Sequence, residues 1–199
     1  GKDTLNGGND NDLINGDGGG DVILGGKGND LLRGDAGKDD FDGGEGNDSL
    51  DGGGSADILI GGLGDDTLSG GKGKDELTGV DVQSLNAGRG EKDTLTGGQK
   101  SDRFILGDAG RIFYDDGKDN NNGKSDYALI KDFSGNDVIQ LSGVASDYRI
   151  KKSPFSKGSS TPDAAIFLIS ATGKDELIGV LQGIDPNSVD LTSNSFSFI

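Results

Sequence analysis

Aspartate recurs in this sequence at a nine-residue interval. Asp3, Asp12, Asp21, Asp30, Asp39, Asp48, Asp57, Asp66, Asp75, Asp93 and Asp102 share one phase, and only Ser84 interrupts the series. Two residues after each comes an apolar side chain: Leu5, Ile14, Ile23, Leu32, Phe41, Leu50, Leu59, Leu68, Leu77, Leu95 and Phe104, with Asn86 as the exception. Glycine keeps a third phase at Gly7, Gly16, Gly25, Gly34, Gly43, Gly52, Gly61, Gly70, Gly79, Gly88 and Gly97. Carboxylates in such a row either hold cations or serve in pairs as general acid and base. Because the glycine phase survives where aspartate and the apolar residue are lost, "GVDVQSLNA" (79–87) reads as a substituted repeat and not an insertion.

Composition narrows the chemistry further. The 199 residues carry a net charge of -16 and 39 glycines, with 30% apolar content and no histidine, cysteine, methionine or tryptophan. Without cysteine or histidine there is no disulfide, no Ser-His-Asp triad, no Cys-His pair and no histidine zinc site, so the fragment is expected to be non-enzymatic. The acidity opposes nucleic acid and anionic membranes and favours a cationic partner. No apolar run is long enough for a transmembrane helix. That much charge with so little apolar surface would normally leave a chain disordered. A first residue inside a repeat, and the absence of methionine, suggest the C-terminal piece of a longer protein.

The elements that must position these residues follow from the period. One apolar residue in nine cannot make a helical stripe, whereas a six-residue turn followed by a three-residue strand points that residue inward and its neighbours outward. Two such units close one coil, and residues eighteen apart lie one above the other. Low-complexity linkers have no reason to hold three residue types in phase. The units "GGKGNDLLR" (25–33), "GGEGNDSLD" (43–51) and "GGLGDDTLS" (61–69) resemble the G-G-x-G-x-D-x-U-x nonapeptide of the RTX (hemolysin-type) family of calcium-binding proteins. The resemblance implies an all-β fold, a parallel β-roll over residues 1–105, in a secreted protein that leaves the cell by the type I route.

Coils stack about 4.8 Å apart, so a cation midway between two aspartates lies about 2.4 Å from each layer, inside the roughly 2.3–2.6 Å range of calcium–oxygen bonds. Two carboxylates fill only part of a calcium shell, and backbone carbonyls must supply the rest. The turn glycines Gly25, Gly26, Gly28, Gly43, Gly44, Gly46, Gly61, Gly62 and Gly64 are the expected sources. Read at strict eighteen-residue spacing, one edge carries Asp3, Asp21, Asp39, Asp57, Asp75 and Asp93. The other carries Asp12, Asp30, Asp48 and Asp66 before Ser84 breaks it ahead of Asp102. This arithmetic gives about eight inter-turn calcium ions.

Residues 106–199 have a different character, holding all three prolines and nine of the eleven aromatics. Their alternation predicts strands in "DYALIKDF", "DVIQL", "DYRIKK", "AAIFLIS", "ELIGVLQG" and "FSFI", a mostly β region capping the open end of the roll. "KDFSGNDVIQLSG" (131–143) resembles the stretch that follows the repeats in many RTX proteins, which implies a terminal calcium contact at Asp132 or Asp137. The loop 114–126 offers Asp115, Asp116, Asp119 and Asp126 for a further ion or as a solvated turn. "SNSFSFI" resembles a C-terminal export signal; a plain closing strand is the alternative. The functional expectation is a calcium-binding module that folds outside the cell and supports export, folding and presentation of an upstream domain of the same polypeptide. The alternative is a module binding polysaccharide or a cell surface.

Overall fold

A computed structural model describes residues 1–115, 126–155, 162–170 and 175–199. The repeats wind into coils that each contribute one strand to two facing sheets. Thr4–Gly8, Val22–Lys27, Asp40–Glu45, Ile58–Leu63, Glu76–Val80, Arg103–Ile105, Val138–Leu141 and Phe196–Phe198 run in that order through the first sheet. Leu13–Asn15, Leu31–Arg33, Ser49–Gly54, Thr67–Lys72, Lys92–Gln99, Tyr127–Ile130, Glu176–Leu181, Ala164–Leu168 and Tyr148–Lys152 make the second. The fold is a parallel β-roll: every pairing is parallel except the last two of the second sheet and the small hairpin Gly107–Asp108 with Arg111–Ile112.

Most repeat strands are longer than the three residues that the period requires, although Leu13–Asn15, Leu31–Arg33 and Arg103–Ile105 keep to three. Val22–Lys27 runs on through Gly25 and Gly26 into the turn, because the glycine backbone continues the ladder, with Gly8 pairing Gly26 and Gly26 pairing Gly44. Register explains the narrow core. In the first sheet Ile23, Phe41, Leu59, Leu77, Phe104 and Ile139 stand in line, and in the second Leu32, Leu50, Leu68, Leu95 and Ile130 do the same. All of these are buried, most of them completely.

The register departs from the sequence expectation at one place. Leu95 pairs with Leu68 and Phe104 with Leu77, a step of 27 residues where every earlier coil takes 18. Residues 81–91 therefore leave the coil, so the unit containing Ser84 is an insertion and not a substituted rung. Physically, a unit that offers Ser84 for the aspartate and Asn86 for the apolar residue lacks both the turn carboxylate and the inward strand residue that hold a rung in the stack, although its Val80 and Ala87 stay in the core. Leu85 within it is 92% exposed.

Beyond residue 105 the same two sheets continue. Ile130 stacks on Leu95, Ile139 on Phe104 and Phe196 on Ile139. Strands form within all six segments expected from alternation. The change near residue 105 is thus one of sequence and not of sheet. Two antiparallel strands, Ala164–Leu168 and Tyr148–Lys152, finish the second sheet, and Phe196–Phe198 supplies the closing strand of the first.

Because the core is one side chain wide on each sheet, each apolar residue matters more than in a broad core. Leu68→Ala, at a position with no exposure, is expected to cost about 2–5 kcal/mol, measured by urea unfolding at saturating calcium.

Candidate metal centre

Asp3 in the first coil is exposed and Asp12 half-buried, but the later turn aspartates are not solvated. From Asp21 to Asp102 every one of them is buried to within 3% exposure. Each carboxylate lies inside its own turn and uses its two oxygens differently. Oδ1 accepts the backbone N–H of the aspartate one coil earlier: Asp12 N–H to Asp30 at 2.8 Å, Asp30 N–H to Asp48 at 2.8 Å and Asp39 N–H to Asp57 at 2.9 Å. Oδ2 of Asp12, Asp21, Asp30, Asp39, Asp48, Asp57, Asp66 and Asp75 is buried and accepts no hydrogen bond. A buried carboxylate oxygen with no partner is costly, and either a proton or a cation must compensate it.

The first glycine of each turn shapes the space around that oxygen. A methyl group built on Gly52 would lie 2.6 Å from Asp57 Oδ2 and 2.8 Å from the Gly70 carbonyl oxygen of the next coil. The same pair of oxygens crowds Gly7, Gly25, Gly43 and Gly61, where the carbonyls belong to Gly25, Gly43, Gly61 and Gly79. Gly26, Gly44 and Gly62, and likewise Gly28, Gly46 and Gly64, take φ between +104° and +133°, the region that favours glycine. So each turn brings together a lone carboxylate oxygen and a neighbouring carbonyl in a volume that a side chain would fill. Among the described residues no three acidic side chains converge on one point. The donor set is therefore carboxylate plus backbone carbonyl, all hard oxygen, which suits calcium and not a soft transition metal.

Residues 1–32, 15–50 and 51–80 match the family model described as "RTX calcium-binding nonapeptide repeat (4 copies)". RTX calcium-binding repeats are thus matched across residues 1–80. Among solved structures, the chain is similar to the solution structure of the AlgE6R3 subunit from the Azotobacter vinelandii mannuronan C5-epimerase, at 19% identity and a TM-score of 0.39. That alignment covers 96% of this chain and 80% of that one. The comparison with curated proteins gave no match.

The shifted register redraws the two rows of turn aspartates. Asp66 N–H donates to Asp93 and Asp75 N–H to Asp102, so Asp93 stands over Asp66 and Asp102 over Asp75, the reverse of the expected edges. The first row is Asp3, Asp21, Asp39, Asp57, Asp75 and Asp102, and the second is Asp12, Asp30, Asp48, Asp66 and Asp93. Ser84 belongs to neither row; its carbonyl accepts from Arg111 at 3.4 Å. The pairing behind the count of eight was thus incorrect beyond Asp66 and Asp75.

Beyond the repeats, Asp137 extends the first row, accepting from Asp102 N–H at 3.0 Å and from Ser134 N–H at 2.7 Å. Asp132 accepts from the N–H groups of Gly97 and Gly98. Both carboxylates are thereby engaged by backbone donors. Asp115 and buried Asp126 flank the acidic loop, and Asp116 and Asp119 lie outside the described residues. Sequence reading missed Glu91, whose Oε1 accepts Gly64 N–H at 3.2 Å. In other coils that N–H reaches a backbone carbonyl, as Gly46 reaches Leu63 at 2.8 Å. It also missed Tyr114, an aromatic in no recognisable pattern, whose hydroxyl donates to Asp93 Oδ2 at 2.5 Å.

Burial raises the carboxylates strongly when no cation is present. Asp48, Asp93 and Asp102 rise to about 6, Asp57 to about 7 and Asp66 to about 8, each with desolvation as the leading cause. Asp39 and Asp75 rise for the same reason. The folded coils therefore bind protons that the unfolded chain has released. That stabilisation is complete below the unfolded aspartate value near 4 and is lost as pH rises through about 6 to 8. In excess chelator the β signal in circular dichroism should accordingly be larger at pH 4 than at pH 8. The glycine geometry gives a matched pair of variants. Gly52→Ala should raise the calcium concentration needed for folding, because its methyl collides with Asp57 and Gly70. Gly54→Ala, whose nearest neighbour would be 3.6 Å away, should leave it unchanged within a factor of about two.

Proposed function

We propose that this chain is a calcium-driven folding module, in which ions held between successive turns by Asp12, Asp21, Asp30, Asp39, Asp48, Asp57, Asp66 and Asp75 convert an acidic coil into the roll. The observation that carries this reading is the buried Oδ2 atom repeated at these eight positions, each beside a carbonyl of the next coil where the spacing of first glycines is regular. Carbonyls of Gly25, Gly43 and Gly61, with others in the second and fourth glycine positions, would complete the shells. When bound, calcium supplies the positive charge and the oxygen coordination that the turns lack. The chain supplies the rest: Oδ1 ties each coil to the one before it, and the first glycine keeps the space open.

Thermodynamics then couples binding to folding. With a net charge of -16 and a core one side chain wide per sheet, the array at neutral pH and low calcium favours the unfolded state; binding free energy becomes folding free energy. Sites of the extracellular class, with dissociation constants roughly 10⁻⁴ to 10⁻³ M, would leave the chain unfolded inside a cell and fold it outside. That behaviour suits a secreted protein threaded through an export channel, with the roll supporting folding and presentation of a neighbouring domain. No helix among the described residues is long and apolar enough to cross a membrane. The lack of histidine and cysteine, and the commitment of the aspartates to the turns, support a non-catalytic role for this segment.

Circular dichroism at neutral pH provides the test. A β spectrum should appear on raising calcium to roughly 10⁻³ M and vanish in excess chelator; a β spectrum that persists in chelator would overturn the proposal.

A further inference from the structure

Nine turn aspartates on these coils have Oδ2 facing the space under a first glycine with an oxygen atom across it, but the ninth is satisfied differently. At Gly79 the atoms crowding the missing methyl are Asp93 Oδ2 and the hydroxyl of Tyr114, where Gly61 has Asp66 Oδ2 and the carbonyl of Gly79. Tyr114 is fully buried, and its hydroxyl donates to Asp93 Oδ2 at 2.5 Å. We propose that Tyr114 terminates the calcium ladder of the second row: its hydroxyl takes the place of the cation at Asp93, and residues 79–91 form the socket that seats it.

The looped-out unit has the shape that this role demands. Tyr114 N–H donates to the Ala87 carbonyl at 3.1 Å. A methyl on Gly88 would lie 2.7 Å from Tyr114 N and 2.8 Å from its ring Cδ1, so Gly88 is needed for clearance as well as for its φ of +77°. A side chain on Gly79 would strike the hydroxyl itself. Arg111 reaches the Ser84 carbonyl at 3.4 Å, and Arg89 reaches the Asp115 carbonyl at 3.3 Å, so the loop and the segment after the hairpin hold each other from both sides. Tyr114 keeps a φ of +61°, an uncommon conformation for a bulky residue that surrounding contacts must impose. The unit that has lost its aspartate and its core residue nevertheless keeps its first glycine, Gly79, and the next unit keeps Gly88; both lie against Tyr114.

The chemistry separates this position from the eight below it. A phenol O–H is a donor, so it satisfies the buried carboxylate oxygen by a charge-assisted hydrogen bond without any ion. The first row ends by the same device in a different form, with Ser134 N–H on Asp137 Oδ2. Both rows thus close on a hydrogen bond at the end where the capping strands begin.

This inference rests on the calcium reading of the aspartate rows, and the experiment keeps the two apart. Bound calcium is counted by equilibrium dialysis at saturation for the unaltered chain, Asp48→Asn and Asp93→Asn, and the calcium midpoint of folding is followed by circular dichroism for Tyr114→Phe. Asp48→Asn should bind one ion fewer, whereas Asp93→Asn should bind as many as the unaltered chain. Tyr114→Phe, which leaves a buried acceptor without its donor, should lower the folded-to-unfolded ratio by about tenfold and shift the midpoint to higher calcium. Loss of an ion in Asp93→Asn, or an unshifted midpoint in Tyr114→Phe, overturns the role of Tyr114. An unchanged count in Asp48→Asn overturns the calcium reading beneath it.

Discussion

A carboxylate turned into the protein has to be compensated, and in this chain the problem is repeated at every turn of the roll. The aspartate cannot point outward, because its Oδ1 is what the backbone N–H of the preceding coil binds. It cannot be replaced by a neutral acceptor without giving up Oδ2, which faces a carbonyl of the next coil. The same side chain therefore holds two coils together through one oxygen and leaves the other in need of positive charge. Most other features of the structure follow from accommodating that arrangement.

The glycines are one consequence. The first in each regular turn is required by space, since a Cβ would occupy the volume shared by the carboxylate and the next carbonyl, while the second and fourth are mostly favoured by a positive φ, which Asp17, Asp35, Ser55 and Lys100 also adopt at those positions. Those are distinct constraints, and they produce the same residue. The narrow core is another consequence. With turns this tight, each strand has one inward residue between the aspartate and the first glycine, and burial of apolar surface alone is too small to offset the conformational entropy of the coil. Stability must come from neighbouring coils and from whatever compensates the buried carboxylate oxygens.

The ends of the rows show how such a repeat is brought to a stop. Parallel strands pass without interruption from the repeats into Tyr127–Ile130 and Val138–Leu141, so the sheets do not end where the nonapeptides do. What changes is the source of compensation: backbone N–H groups at Asp132 and Asp137, and a phenol at Asp93. The apolar content of the second half then permits a wider core, with Leu106, Phe113, Tyr114 and Ile178 fully buried.

The sequence by itself determined the coil, because three residue types in one phase admit only one way of placing carboxylate, core residue and glycine on a turn and a strand. It determined the inward row of Ile23, Phe41 and Leu59 and the strands of the second half, since alternation is a local property. Tertiary structure decided what depends on which coil lies next to which. Spacing alone placed Asp93 over Asp75, yet the chain places it over Asp66, because a unit with Ser84 and Asn86 lacks the carboxylate and the inward strand residue of a rung and leaves the coil. The simultaneous loss of both residues was visible as a signal; the preserved glycines concealed its meaning. Tyr114 could not be read from sequence at all, for its partner lies 21 residues away in a space that exists only once the loop has left the stack.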